Sequence, residues 1–136
     1  MASESGIVVY SGTREGSTTR TNYGDTIVID HTPEAGKDER HIYTLYAHLE
    51  RRNVYEGHGA RKGEKIGISG NSGMVAFYKN LKQGFHLHFE VIDSQTELNW
   101  GYGWPTGNRQ DPMDYLGRVT IIEYSFIAFG EKMNMV

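Results

Sequence analysis

Alternation of apolar and polar residues dominates the chain, and frequent glycines interrupt it. A period of two places successive side chains on opposite faces of a β-strand. The pattern predicts strands over residues 6–12, 25–31, 41–49, 65–69, 86–92 and 119–129. Helical periodicity is nearly absent, and only residues 74–82 and 111–116 favour one or two helical turns. We therefore predict an all-β fold built on an antiparallel sheet or sandwich.

The segments between the predicted strands carry residues that favour turns. Residues 13–24 and 32–40 are rich in glycine, hydroxyl and charged residues, and glycines recur through residues 57–73. Residues 93–110 are rich in glycine and aromatic residues. These compositions predict loops and tight turns at all four places.

Size and composition restrict the class of protein. A chain of 136 residues with 38% hydrophobic content, 9 Tyr, 5 Phe and 2 Trp can bury a modest core, which indicates one folded domain. The net charge of −3 and the absence of a basic stripe argue against a nucleic-acid partner. No apolar run reaches the length of a membrane span. The short polar stretch at residues 1–6 does not have the pattern of a secretory signal peptide.

Two of the six histidines lie two residues apart in the predicted strand 86–92. His86 and His88 therefore point to the same face, roughly 6–7 Å apart, with Glu90 following them on that face. The apolar residues between them point to the opposite face, toward a core. The chain has no cysteine, so a metal ion would need imidazole or carboxylate ligands. The pair indicates a metal site, and the alternative is two polar residues on the solvent face of a half-exposed strand.

Four ordered segments of the chain carry a family resemblance. They are Tyr-x-His-Leu at residues 46–49, V-x-x-G-x-x-A-x-x-G-x-x-I-G at 54–67, Ser-Gly-Asn-Ser-Gly at 69–73 and His-Leu-His-Phe-Glu at 86–90. This set resembles the lysostaphin-type (LytM) zinc endopeptidases, which cut the peptide cross-links of bacterial peptidoglycan. The resemblance covers about residues 2–116. It implies the LytM, duplicated-hybrid-motif-like fold, an antiparallel sheet with a groove.

The resemblance assigns roles to three histidines. His88 matches the zinc ligand of the family, so zinc is the implied cofactor. His86 and His48 match the catalytic histidines that face the attacking water or the tetrahedral intermediate. These assignments make chemical sense because zinc lowers the pKa of its bound water to about 7 and polarises a carbonyl group. One imidazole then accepts a proton while the other stabilises the oxyanion.

The resemblance also implies a substrate groove with an aromatic wall. Alternation places Tyr46 on the same face as His48, and the aromatic loop holds Trp100, Tyr102 and Trp104. Aromatic faces stack on peptides and sugars, so these four residues are the candidates for the wall. The alternative for the loop residues is packing against the domain.

Two zinc ligands of the family have no counterpart in the sequence. They belong to an H-x-x-x-D motif that precedes the first matched strand, and the chain contains no such motif. A catalytic zinc site needs three protein ligands and a water molecule, so we predict an incomplete site in this chain. Five other residues have the right chemical type but other expected roles: His31 packed or capping, His41 and His58 solvated, Asp25 and Asp30 turn and surface carboxylates.

The resemblance ends before the chain does. Residues 1–118 form the predicted peptidase-like domain, and residues 119–136 form an extension whose predicted strand can pair with another chain. Residues 74–85 form an insertion that would lie beside the groove. The implied partner is a peptidoglycan peptide or another protein, and the implied location is extracytoplasmic, in the cell envelope, secreted or in a virion.

Two classes of function follow from these motifs. The first is a zinc metalloendopeptidase of peptidoglycan, incomplete or inactive as this chain alone. The second is a non-catalytic LytM-like domain that activates cell-wall amidases or serves as a structural component of an envelope, secretion or phage assembly. Retention of the three histidines favours the first class, and the lack of H-x-x-x-D favours the second.

Overall fold

A computed structural model describes residues 1–15, 22–73, 86–101 and 108–115. Within these residues, seven strands form one antiparallel sheet. They are β1 (Gly6–Arg14), β2 (Gly24–Asp30), β3 (His41–Arg52), β4 (Gly59–Ala60), β5 (Gly67–Ser69), β6 (His88–Ser94) and β7 (Asn108–Gln110). The strand order is β4-β1-β2-β3-β6-β7, and β5 pairs with the end of β3. The predicted all-β antiparallel fold is confirmed.

Hydrophobic clusters cover both faces of the sheet. On one face, Ile27, Ile29 and Tyr46 are buried together, and Leu87 and Phe89 pack against their cluster. On the other face, Val28 and Leu45 belong to a second buried cluster. Strands β2 and β3 are therefore buried on both sides for most of their length, and each has a continuous apolar run at its centre, Ile27–Ile29 and Leu45–Ala47.

Two short strands were not predicted, because they are recognisable only by their hydrogen bonds to neighbouring strands. Strand β4 has two residues and pairs with the start of β1, and β7 has three residues and pairs with β6. Such short segments carry no measurable alternation. The predicted turn at residues 111–116 is confirmed as a single 3-10 turn, Pro112–Asp114, capped by the side chain of Asp111.

Three expectations fall outside the described residues. They concern residues 74–85, with their helical turns and their place beside the groove, the extension 119–136 with its strand, and the groove positions of Tyr102 and Trp104. Within the described part of the chain, no helix is long and apolar enough to cross a membrane.

The expected surface positions of His41 and Asp30 are wrong. The two side chains are 2% and 6% exposed, and His41 Nδ1 lies 2.9 Å from Asp30 Oδ2. The other ring nitrogen lies 3.1 Å from the Gly36 carbonyl oxygen. Burial opposes a charge on the ring, but the hydrogen bonds to Gly36 and Asp30 outweigh it and raise the pKa of His41. Asp30 ends β2 and His41 begins β3, and Gly36 in the connection between these strands supplies the second partner of the buried ring.

Candidate functional site

An irregularity in β3 decides where His48 points. His48 has a φ of 59°, in the left-handed region that few residues other than glycine adopt. At this point the register with β2 shifts, since Asp25 pairs with Leu49 whereas Ile27 pairs with Tyr46. Regular alternation would place His48 with Tyr46, but the bulge turns it toward the face of Ala47. Such backbone conformations cost roughly 1–3 kcal/mol and persist where the surrounding structure requires them.

Three imidazole rings meet on this face of the sheet. The ring centroid of His48 lies 5.0 Å from that of His86 and 5.6 Å from that of His88. His88 stands opposite Ala47 in the β3–β6 pairing, and His86 joins the sheet through an isolated bridge to Gly70. The structure therefore brings together the three histidines that the sequence motifs singled out, although His48 lies in β3, whereas His88 begins β6 and His86 lies just before it.

A chain of backbone hydrogen bonds connects the segments that carry these rings. The His48 amide donates to the Tyr23 carbonyl oxygen at 2.9 Å, and the Gly70 amide donates to the His48 carbonyl oxygen at 2.9 Å. The His86 amide then donates to the Gly70 carbonyl oxygen at 3.2 Å. The positions of His48 and His86 are thus fixed by the main chain and not by side-chain contacts alone.

His48 is 3% exposed, and one of its ring nitrogens has a hydrogen-bond partner. Its Nδ1 lies 2.8 Å from the Ser72 carbonyl oxygen, which can only accept, so Nδ1 carries the proton. Burial lowers the pKa of His48 to about 4; the positive charges that His86 and His88 can carry add to this, and the Ser72 carbonyl opposes it. At neutral pH the ring is uncharged, and its Nε2 can accept a proton.

Glu90 lies behind His88 and accepts three hydrogen bonds. Its Oε1 lies 2.9 Å from the Tyr23 hydroxyl and 2.7 Å from His88 Nε2, and its Oε2 lies 2.8 Å from Arg109 Nε. The side chain is 13% exposed. Burial by itself would raise the pKa of Glu90, but the hydrogen bond from His88 and the charge of Arg109 hold it below its usual range.

Tyr23 is a site residue that sequence reasoning missed. Its ring stacks on His48 at a centroid distance of 6.3 Å and an interplanar angle of 8°, and it meets the ring of His88 edge-on at 5.1 Å. Burial and the neighbouring Glu90 raise its pKa. The composition of residues 13–24 predicts only a loop, and the hydrogen-bond partner of Tyr23 lies 67 positions further along the chain.

Two of the predicted groove residues lie elsewhere. Tyr46 is buried in the opposite face of the sheet, where its hydroxyl bonds to Ser3 and Thr44, so its predicted place in a groove wall is wrong. Trp100 is 2% exposed and packs edge-on against Tyr43 at 5.4 Å. It touches a cavity of about 570 Å³ that none of the three site histidines lines.

The described residues offer one candidate zinc ligand, His88, and do not form a complete zinc site. Among residues 1–15, 22–73, 86–101 and 108–115, no group of three histidines and carboxylates has the spacing of a metal centre. His31 bonds to Ser5 and Thr44, in agreement with its expected packing role, and His58 pairs with Glu64 in an exposed turn. Glu90 contacts Nε2 of His88, so the nitrogen of this ring that could bind a metal ion is Nδ1.

An antiparallel sheet that carries three imidazoles on one face, with a buried carboxylate behind one of them, defines a histidine-centred site on an all-β scaffold. The profile of peptidase family M23 matches residues 1–100 of the chain. The chain therefore belongs to peptidase family M23, and the resemblance to lysostaphin-type peptidases is confirmed.

Known proteins share this fold and part of this sequence. The peptidoglycan DD-endopeptidase ShyB of Vibrio cholerae is 34% identical over 77 residues, which cover 53% of this chain and 16% of ShyB. The catalytic domain of lysostaphin from Staphylococcus simulans superposes with a TM-score of 0.55 at 24% identity, covering 82% of this chain and 65% of that domain.

A chain of the SpoIIQ–SpoIIIAH pore-forming complex also has this fold, with a TM-score of 0.55 at 23% identity. The match covers 90% of the present chain and 59% of that one. At these identities the two solved structures establish the fold alone. The chain spans less than two thirds of the length of each of these relatives.

Proposed function

We propose that this chain forms part of a peptidoglycan-hydrolysing metalloendopeptidase that cleaves peptide cross-links outside the cytoplasm. The observation that carries the proposal is the convergence of His48, His86 and His88 on one face of an M23-type sheet. The ShyB similarity supports the substrate class, since that relative is a peptidoglycan endopeptidase.

In this proposal His48 acts through its neutral ring. The Ser72 carbonyl holds the proton on Nδ1, so Nε2 presents a lone pair to the site. A neutral imidazole at this position can take a proton from an attacking water or donate a hydrogen bond after it has done so. His86, 5.0 Å from His48, supplies a second group that can stabilise negative charge on the substrate oxygen.

His88 is the proposed metal ligand of this chain. Zinc, when bound, would supply a polarised water and a Lewis acid. One imidazole does not make a zinc centre, and the described residues form no group of three metal ligands, so we propose that two further ligands come from another protein segment. A preceding segment of the same polypeptide or a second polypeptide would serve equally.

Zinc content and peptide cleavage test the proposal together. The purified chain is expected to hold well below one zinc per molecule and to leave a peptidoglycan cross-link peptide intact. Adding a segment that bears the H-x-x-x-D motif of the family, by fusion or co-expression, is expected to give both equimolar zinc and cleavage, and His88→Ala should abolish both. Equimolar zinc in the chain alone would contradict the incomplete site.

The second candidate function is a non-catalytic one, as an amidase activator or a structural component of an assembly. The lack of a three-ligand group among the described residues favours it. The same experiment separates the two, because a non-catalytic domain would show neither zinc nor cleavage even with the added segment. Binding to a partner protein would then be the activity to measure.

A further inference from the structure

Glu90 is a mostly buried carboxylate that three separate parts of the chain hold in place. Tyr23 precedes β2, His88 begins β6, and Arg109 lies in the edge strand β7. A buried charge is costly unless donors surround it, and the two oxygens of Glu90 have three donors at 2.7–2.9 Å. Three donors from separate parts of the chain on one carboxylate indicate that Glu90 does more than pack against its neighbours.

The hydrogen bond between Glu90 and His88 determines which nitrogen of the imidazole carries the proton. An ionised carboxylate can only accept, so the His88 Nε2 that lies 2.7 Å from Glu90 must donate. In a neutral ring the second nitrogen, Nδ1, then has the lone pair. A nitrogen that binds a metal or accepts a proton must present such a lone pair.

We propose that Glu90 is a positioning residue that holds His88 as its Nε2–H tautomer and so keeps Nδ1 as the ligand-accepting nitrogen. The inference rests on the proposed function in that it assigns His88 the ligand role. Metal-bound histidines generally donate their other ring N–H to a carboxylate or carbonyl, and the arrangement here has that form before any metal is considered.

Arg109 makes the assignment testable because it fixes the orientation of the Glu90 side chain. In Glu90→Gln, the amide oxygen must face the Arg109 donor, since an amide N–H there would meet another N–H. The amide nitrogen would then face His88 and donate to Nε2. The proton of the ring is therefore expected to move to Nδ1, which removes the lone pair from the ligand position.

Nitrogen-15 NMR of the imidazole side chains in the metal-free chain measures this directly, at a pH where the resonances show neutral rings. Wild-type His88 is expected to carry its proton on Nε2, and Glu90→Gln is expected to exchange the protonated and unprotonated resonances of that ring. The matched control is Glu64→Gln, because Glu64 also accepts from a histidine, His58, at 2.6 Å but in an exposed turn. It should leave His88 unchanged.

The outcomes separate this inference from the proposed function, since no metal or substrate is present. An exchange of tautomer in Glu90→Gln with no change in Glu64→Gln supports the inference even if the chain proves non-catalytic. A proton on Nδ1 of wild-type His88, or an unchanged tautomer in a folded Glu90→Gln protein, overturns it. Should Glu90→Gln fail to fold, the wild-type spectrum alone decides between the two tautomers.

Discussion

The neutral state of His48 makes the stability of this protein depend on pH in a specific way. The folded pKa is about 4, whereas an unperturbed histidine titrates near 6.5. Below pH 6.5 the unfolded chain therefore binds a proton at this position that the folded chain does not. The contribution of His48 to stability is full above about pH 6.5 and is lost progressively as the pH falls toward 4.

The size of the effect follows from the shift. The pKa of His48 differs by about 2.5 between the unfolded and folded states, which corresponds to about 3 kcal/mol in the free energy of unfolding. About 2 kcal/mol of this is lost by pH 5. That is a large part of the stability of a small domain, which is typically about 5–15 kcal/mol. His48 is 3% exposed, so solvent screening does not reduce this free energy much.

Urea unfolding at pH 7 and pH 5 measures the effect, with His48→Asn as the comparison. Asparagine tolerates the left-handed backbone at this position and does not titrate. The wild-type protein should lose about 2 kcal/mol more than the variant between the two pH values. Other titrating groups, such as His41, are present in both proteins and cancel in the difference. Equal losses in wild type and variant would refute a buried, neutral His48.

Three further perturbations have expected outcomes. Asp30→Asn removes the partner of buried His41 and should lower the free energy of unfolding by roughly 3–5 kcal/mol near pH 6. Because the folded pKa of His41 is raised, that difference should shrink as the pH rises through it; a constant difference from pH 6 to 9 would contradict a charged pair. Gly70→Ala places a Cβ 2.8 Å from the backbone nitrogen of Glu50 and should displace His86, costing roughly 1–3 kcal/mol in urea unfolding, whereas Gly59→Ala should be nearly neutral. Tyr46→Phe removes the hydroxyl bonds to Ser3 and Thr44 and should cost about 1–2 kcal/mol without changing the imidazole NMR spectrum; a changed spectrum would place Tyr46 in the site after all.

The alternation of apolar and polar residues was sufficient to predict most of the strands and part of the site. It predicted that His86, His88 and Glu90 share a face and that the residues between them enter the core, because a regular strand has a period of two. The ordered motifs identified His48 as a third site residue and indicated the family. The same rule placed Tyr46 on the face of His48, which is wrong because the irregularity at His48 interrupts the alternation. No residue type in the sequence indicates that irregularity.

The sequence by itself determined the all-β class, the main strands, the family and the three histidines. Only the tertiary structure decided that Tyr23 and Arg109 join Glu90, and that Asp30 and His41 form a buried pair. The physical reason is distance along the chain. Alternation and turn composition reflect forces between neighbouring residues, whereas these contacts arise where strands and loops far apart in sequence meet and exclude water.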